Sequence, residues 1–305
     1  MKHTHSILGL CCIMALLTGC ATTAPVQEVR QVSAAYDAAL AAGEPLLDEL
    51  AIAERRGVVK AKMAEASPFT TDDGLTVFLT FKVSMAASLA SIGDPPSTAR
   101  QRRGLKVVGS YIDVLEILAE GKNIEEAKSR VRTLGMNLAA LAALATGGAG
   151  AAVQPLLAAF DPILDGVART QNVQELRELV LRGEKPIDTL LDDLMTSSED
   201  IYTVLIDEAM NAAMDTHSQN KAAQRADVLK IAGYQVAVGN YVVLLQQVRA
   251  TLSTLAEAVR APSRATLTSV AASTSELLVQ AQAVRRAYAV IRNPATTGAV
   301  LEVTR

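Results

Sequence analysis

Few side chains in this sequence are able to do covalent or metal chemistry. The chain has 3 cysteines, at positions 11, 12 and 20, and 3 histidines, at 3, 5 and 217. A zinc site needs three or four His, Cys or carboxylate ligands, and a di-iron bundle needs Glu-x-x-His pairs. His217 satisfies neither pattern. As a catalytic base it would need a nucleophile across from it. Ser218 is its sequence neighbour, and neighbours on a helix do not face each other, so His217 reads as a surface residue. Carboxylates occur in pairs, at Asp72-Asp73, Glu125-Glu126, Asp192-Asp193 and Glu199-Asp200. Each pair falls near a helix first turn or on a polar face, where the helix dipole accounts for several of them. Gly147-Gly148-Ala149-Gly150 lacks the preceding strand and the lysine of a phosphate cradle, so it reads as a hinge or turn. The inventory points away from catalysis, from metals and from any cofactor. It leaves Cys20 as the residue whose chemistry needs an account.

Cys20 closes a short polar and apolar leader. Met1 to Ser6 is polar with one fixed positive charge, and Ile7 to Leu17 is apolar. That apolar run suits a signal sequence and is too short to span a bilayer. Leu17-Thr18-Gly19-Cys20 follows, and it resembles the lipobox of bacterial lipoproteins. The resemblance implies that the Cys20 thiol receives a diacylglyceryl group and that the signal is cut just before it. It covers the first twenty residues only, and its n-region carries His3 and His5 where lysines are common. The competing reading is an ordinary signal cut near Ala24. Cysteine usage favours the lipid, because Cys11 and Cys12 leave with the signal and the lone remaining thiol is consumed by acylation. One acyl chain binds a membrane marginally, whereas two hold firmly. Ala21 follows, where Asp would resemble an inner-membrane retention signal. For a Gram-negative source this implies the outer membrane, facing the periplasm.

Loss of residues 1–19 leaves about 286 residues, enough for one large domain or two small ones. Half of the chain is apolar but only 3% is aromatic, with no Trp, so the core must be built from Ala, Leu and Val. Alanine is the best helix former and has little side chain to bury, so helices made from it must approach closely. Net charge is −3 with both signs interspersed, which excludes a nucleic-acid footprint.

These patterns predict an all-α fold, an elongated helical bundle with long antiparallel helices. Residues 20–27 form the acylated anchor and a short tether, 28–292 the helical domain and 293–305 a tail. Helices are expected over about 26–42, stopped by Gly43, and over 45–66, opened by Pro45. The stretch 75–85 alternates apolar and polar residues like a strand, but Thr71-Asp72-Asp73 makes a good helix start. It is read as a helix because a lone strand has no partner. A strand there would favour a tongue-like membrane-active element. A helix follows over about 98–120, stopped by Gly121, and Asn123 with Glu126 caps the next. Asn172 with Glu175 opens another, ended by Gly183. Residues 198–260 contain no proline and read as one helix about 95 Å long at 1.5 Å per residue, with a turn at the polar run 215–220 as the alternative.

Two apolar stretches bear on function. Residues 133–160 carry no charge. Leu138, Leu141 and Leu144 lie on one arm, and Leu156, Leu157 and Phe160 on the other, which Pro155 interrupts. Gly147, Gly148 and Gly150 separate the arms. The glycines and proline argue against a continuous span. The hairpin is either a buried core element or one that enters lipid, as in alpha-helical pore-forming toxins, a likeness of composition only. The second stretch is the last helix, 263–292. Leu267, Thr274, Ala281 and Tyr288 repeat every seven residues, as do Val270, Leu277, Val284 and Ile291. This is an a/d seam, serving either internal packing or a partner helix. The expected protein is a non-enzymatic, lipid-anchored scaffold or interaction module. Its contacts are the membrane through covalent lipid and a protein partner or second copy through helices. The alternative is a membrane-active bundle inserting the 133–160 hairpin.

Cys20→Ser removes the acyl acceptor. The variant should retain or miscut its signal and change its membrane fractionation. Intact mass and fractionation check this, and no change in either would overturn the lipoprotein reading.

Overall fold

The computed structural model describes residues 26–65, 69–70, 72, 76–77, 86–90, 93–121, 123–145, 153–171, 173–216 and 221–292. The fold is all-α, a bundle of long antiparallel helices. Helix α1 (Val26–Glu65) packs against several of the others along its length. Val29, Val32, Tyr36, Ala39, Leu46, Leu47 and Leu50 recur at helical spacing and are buried. Gly43 and Pro45 do not end this helix, contrary to the sequence expectation. Gly43 is needed for close approach, since a Cβ there would stand 3.0 Å from the Tyr241 ring. Pro45 forfeits one backbone hydrogen bond, a cost of about 3 kcal/mol. Burial of Leu46, Leu47 and Leu50 offsets it at about 1.5–3 kcal/mol each.

The stretch read as a helix over 75–85 is also different. Strand β1 (Phe69–Thr70) pairs antiparallel with β2 (Thr76–Val77), with Phe69 opposite Val77. The partner that a lone strand lacked is supplied by the segment just before it, so the period of two prevailed at Thr76 and Val77. Residues 78–85 lie outside the described residues. A short helix α2 (Ala86–Leu89) follows and touches α1.

Helix α3 (Pro96–Ala119) begins with proline in its first turn. Its free N–H groups are capped from another helix. The Glu54 carboxylate of α1 accepts from the Ser97 and Thr98 amides at 2.9 Å each and from the Thr98 hydroxyl at 2.7 Å. Gly121, at φ +64°, ends the segment as expected, in the left-handed conformation that favours glycine. Asn123 then caps α4 (Ile124–Ala145) by accepting from the Glu125 amide at 3.0 Å. Arg30 pairs with Glu120 at one end of α3, and Glu54 caps its other end, so α1 and α3 are antiparallel. Asn137 donates to the Ser110 hydroxyl and Arg103 to the Ala140 carbonyl, so α4 returns along α3.

Helix α5 (Val153–Arg169) has Pro155 in its first turn, where the missing N–H costs nothing, so this proline does not interrupt the arm. Helices α6 (Val173–Leu181) and α7 (Glu184–Thr196) follow, and then α8 (Ser198–Thr216), α9 (Lys221–Arg260) and α10 (Arg264–Arg292). The stretch 198–260 is therefore not one helix. α8 packs back against α9, which a continuous rod cannot do. Ile201, Leu205 and Ala209 on α8 and Tyr234 and Val238 on α9 are buried, and that burial outweighs local propensity. α7 lies antiparallel to α9, with Glu184 on Arg260 and Asp188 on Arg249. α10 returns along α9, with Ser273 at Gln247 and Ile291 on Gly233, and also seats on α1.

The glycines separate into two kinds. A Cβ on Gly183 would lie 3.0 Å from the Val180 carbonyl oxygen and 3.1 Å from the Phe160 and Tyr111 rings. One on Gly239, in the exposed middle of α9, would meet nothing within 4 Å. Gly183→Ala should therefore destabilise by about 1–3 kcal/mol through overpacking. Gly239→Ala should stabilise by about 0.5–1 kcal/mol through chain entropy. Urea unfolding of the two variants measures both.

Candidate functional site

The polar groups that cross the core come first, because a buried hydroxyl or carboxylate is where chemistry would start. Tyr36 donates to the Leu105 carbonyl, 69 residues away, and Tyr111 donates to the Val180 carbonyl at 3.3 Å. Tyr241 on α9 donates to the Gln101 side-chain oxygen on α3 at 3.2 Å. The Gln101 amide nitrogen donates in turn to the Ser197 hydroxyl at 2.6 Å and the Leu194 carbonyl at 3.2 Å. This relay ties α9, α3 and the α7–α8 junction together. Tyr234 donates to Glu49 at 2.6 Å, and Lys230 sits 5.5 Å from the Tyr234 ring centre. Burial pushes the Tyr36, Tyr111, Tyr234 and Tyr241 hydroxyls up from the usual tyrosine range. They remain neutral donors and are not poised as nucleophiles.

Among the described residues the paired carboxylates do not form acid–base dyads, and Asp73 of the Asp72-Asp73 pair lies outside them. Asp193 accepts a two-oxygen contact from Arg100 at 2.7 Å, while Asp192 points to Arg249 at 3.4 Å. Glu125 pairs with Lys128 one turn on at 3.6 Å. Glu199 and Asp200 lie in the first turn of α8. Arg102 gathers Glu44, Asp48 and Asp94 around one guanidinium, joining α1 to the start of α3.

Two cavities of about 100 Å³ have polar walls. One lies between Ser97, Arg100, Ser197 and Asp200. The other lies between Asp113, Glu116, Glu120 and Arg130, where burial pushes the Asp113 carboxyl up, against the pull of Arg130. Each has room for a few waters and is well below the roughly 300 Å³ of a small-molecule pocket. No group of three His, Cys, Asp or Glu among the described residues is arranged to hold a metal ion.

The residues singled out from sequence separate clearly. Leu17, Thr18, Gly19, Cys20 and His217 lie outside the described residues, as do Gly147, Gly148, Gly150 and the side chain of Leu156. On the hairpin arms Leu138, Leu141 and Phe160 are buried, while Leu144 and Leu157 are half-buried. The outer face of α4 is charged in its first half, at Glu125, Glu126, Arg130 and Arg132, and uncharged in its second half. That second half comprises Met136, at 64% exposure, with Ala139, Ala140 and Ala143. The α10 seam faces inward. Val270, Leu277, Val284 and Ile291 are buried, and Leu267 and Tyr288 pack half-buried against the same core. Residues 225–260 of α9 are long and apolar enough to cross a membrane by length and composition. In the fold that helix packs against α1, α7, α8 and α10. Sequence reasoning missed the tyrosine relay. Its only advance signal was a handful of tyrosines at inward helical positions. No family model, curated protein or solved structure matches the chain.

The tyrosines give the fold an alkaline limit. An unfolded tyrosine ionises near pH 10, whereas the folded ones hold their protons to higher pH. Above about pH 10 the native state therefore binds more protons than the unfolded chain, and stability must fall as pH rises. Urea titrations between pH 8 and 11 should show that decline. Tyr241→Phe should lose about 1 kcal/mol at pH 8 and decline less steeply thereafter.

Proposed function

We propose that this chain is a lipid-anchored cell-envelope lipoprotein, held at the outer membrane through Cys20 and facing the periplasm. Its role is that of a non-enzymatic helical scaffold that docks a protein partner. The observation that carries this reading is the fate of the two apolar stretches. Leu138, Leu141 and Phe160 of the hairpin and the α10 seam are consumed by one continuous core. These apolar side chains face the core and are not offered to a membrane, and the acyl chains on Cys20 would be the attachment. The engagement of Tyr36, Tyr111, Tyr241, Asp192 and Asp193 in ties between helices supports a non-enzymatic role.

One feature favours a second reading, in which the hairpin engages lipid. This is the uncharged second half of the outer face of α4, from Met136 to Ala143. A soluble form beginning at Ala21, mixed with dye-loaded vesicles, separates the two. The scaffold reading expects neither binding nor leakage. Leu141→Asp completes the test. Burying that charge should cost several kcal/mol and unfold the soluble form, seen as loss of helical circular dichroism. Met136→Lys should leave the fold intact. Leakage by the wild type that Leu141→Asp abolishes without unfolding would overturn the scaffold reading.

A further inference from the structure

The two ends of the bundle differ, and the tether selects one of them. Helix α1 starts at Val26, six residues after Cys20. Six residues span at most about 20 Å at 3.3–3.6 Å each. The start of α1 is therefore held within about that distance of whatever holds Cys20. Contacts fix which other parts share this end. Arg30 pairs with Glu116 and Glu120 at the close of α3, so the Gly121 turn and the start of α4 are here. α9 runs antiparallel to α1, from Tyr234 on Glu49 to Tyr241 on Gly43, and carries on to Arg260. Its turn into α10 at Ala261, Pro262 and Ser263 lies at this end too.

The far end gathers other helix ends. α1 spans 40 residues, about 60 Å at 1.5 Å per residue. Glu54 caps the start of α3, so the link 66–95 begins and ends at the far end. Arg103 holds the Ala140 carbonyl near that same start, so the close of α4 is also there. Arg56 pairs with Glu208 at 3.1 Å, which sets the link between α8 and α9 beyond it.

We infer that the bundle stands on the bilayer through the end that carries the α3–α4 and α9–α10 turns. The opposite end, with the close of α1, the start of α3, the close of α4 and the close of α8, is held about 60 Å away. The inference rests on the lipoprotein reading of Cys20. It identifies a lipid-headgroup surface as the partner of the near end. Nothing in the charge pulls the bundle flat onto anionic lipid. The chain is net −3, and the signal carries away one lysine and no acid.

The test uses the full chain in its lipidated form. With Cys20 acylated and Cys11 and Cys12 removed, an introduced cysteine is the single free thiol. Ala261→Cys, Met136→Cys and Met210→Cys are each labelled with a fluorophore. All three positions are exposed, and they sit at the near end, the flank and the far end. The proteins are placed on vesicles of phosphatidylethanolamine and phosphatidylglycerol carrying a headgroup energy acceptor. Transfer at 261 should exceed that at 210 several-fold, with 136 between them. Equal transfer at 136 and 261 would mean that the bundle lies on its side. Stronger transfer at 210 would mean that the far end faces the bilayer. Either result overturns the inference while leaving the anchor standing. Intact mass decides the anchor separately, because a chain without acyl mass that does not stay on vesicles fails the lipoprotein reading itself.

Discussion

The bundle depends on large side chains seated on bare glycine backbone where helices cross. Tyr36 sits on Gly109, Tyr241 on Gly43, Leu164 on Gly135 and Leu179 on Gly166. A core poor in aromatic residues and rich in alanine has little volume with which to fill wide gaps between helices. Its helices must come close, and glycine is what lets a tyrosine or leucine of the neighbour fit. Dispersion attraction falls off steeply with separation, so these seats fix both the spacing and the register of the pairs they join. The polar ties then act along interfaces already set, as when Tyr36 reaches the Leu105 carbonyl from beside Gly109.

The same residues explain what could be read in advance. The seam from Val270 to Ile291 was legible because a heptad repeat needs only its own helix to declare a face, and that face is buried. Gly121 and Asn123 were legible because a left-handed stop and a cap are local chemistry. Gly43 misled because glycine as punctuation and glycine as a socket look identical until the tyrosine, nearly two hundred residues later in the chain, is brought to it. Residues 198–260 misled for the opposite reason, since the polar run 215–220, the alternative place for a turn, holds no glycine or proline to stop a helix. Thr76 and Val77 followed their alternation once Phe69 and Thr70 supplied an edge. Among the site residues, the inward positions of Leu138, Leu141 and Phe160 follow the helical period. The tyrosine relay depends on which remote carbonyl lies opposite, and periodicity carries no such information.

In the proposed role these features divide the work. Acylated Cys20 would supply attachment, and the glycine-seated core supplies stiffness. The surface left over carries charges of both signs with small uncharged stretches between them, as on the outer side of α10 around Ala272, Ser275 and Val279. A stiff body joined to a membrane by a few residues gives a partner a surface at a defined height, which a flexible stalk of the same length does not.

Helix α10 runs in the same direction as α1 and seats along it, with Arg285 reaching the Ala38 carbonyl. The described chain thus enters at one end of the bundle and finishes toward the other. A pull between the anchor and something gripping the far end would load these helices in shear. In shear the side-chain seats along an interface resist together, whereas peeling would break them one at a time. A body built this way transmits tension along its axis far better than it resists being pried apart from the side.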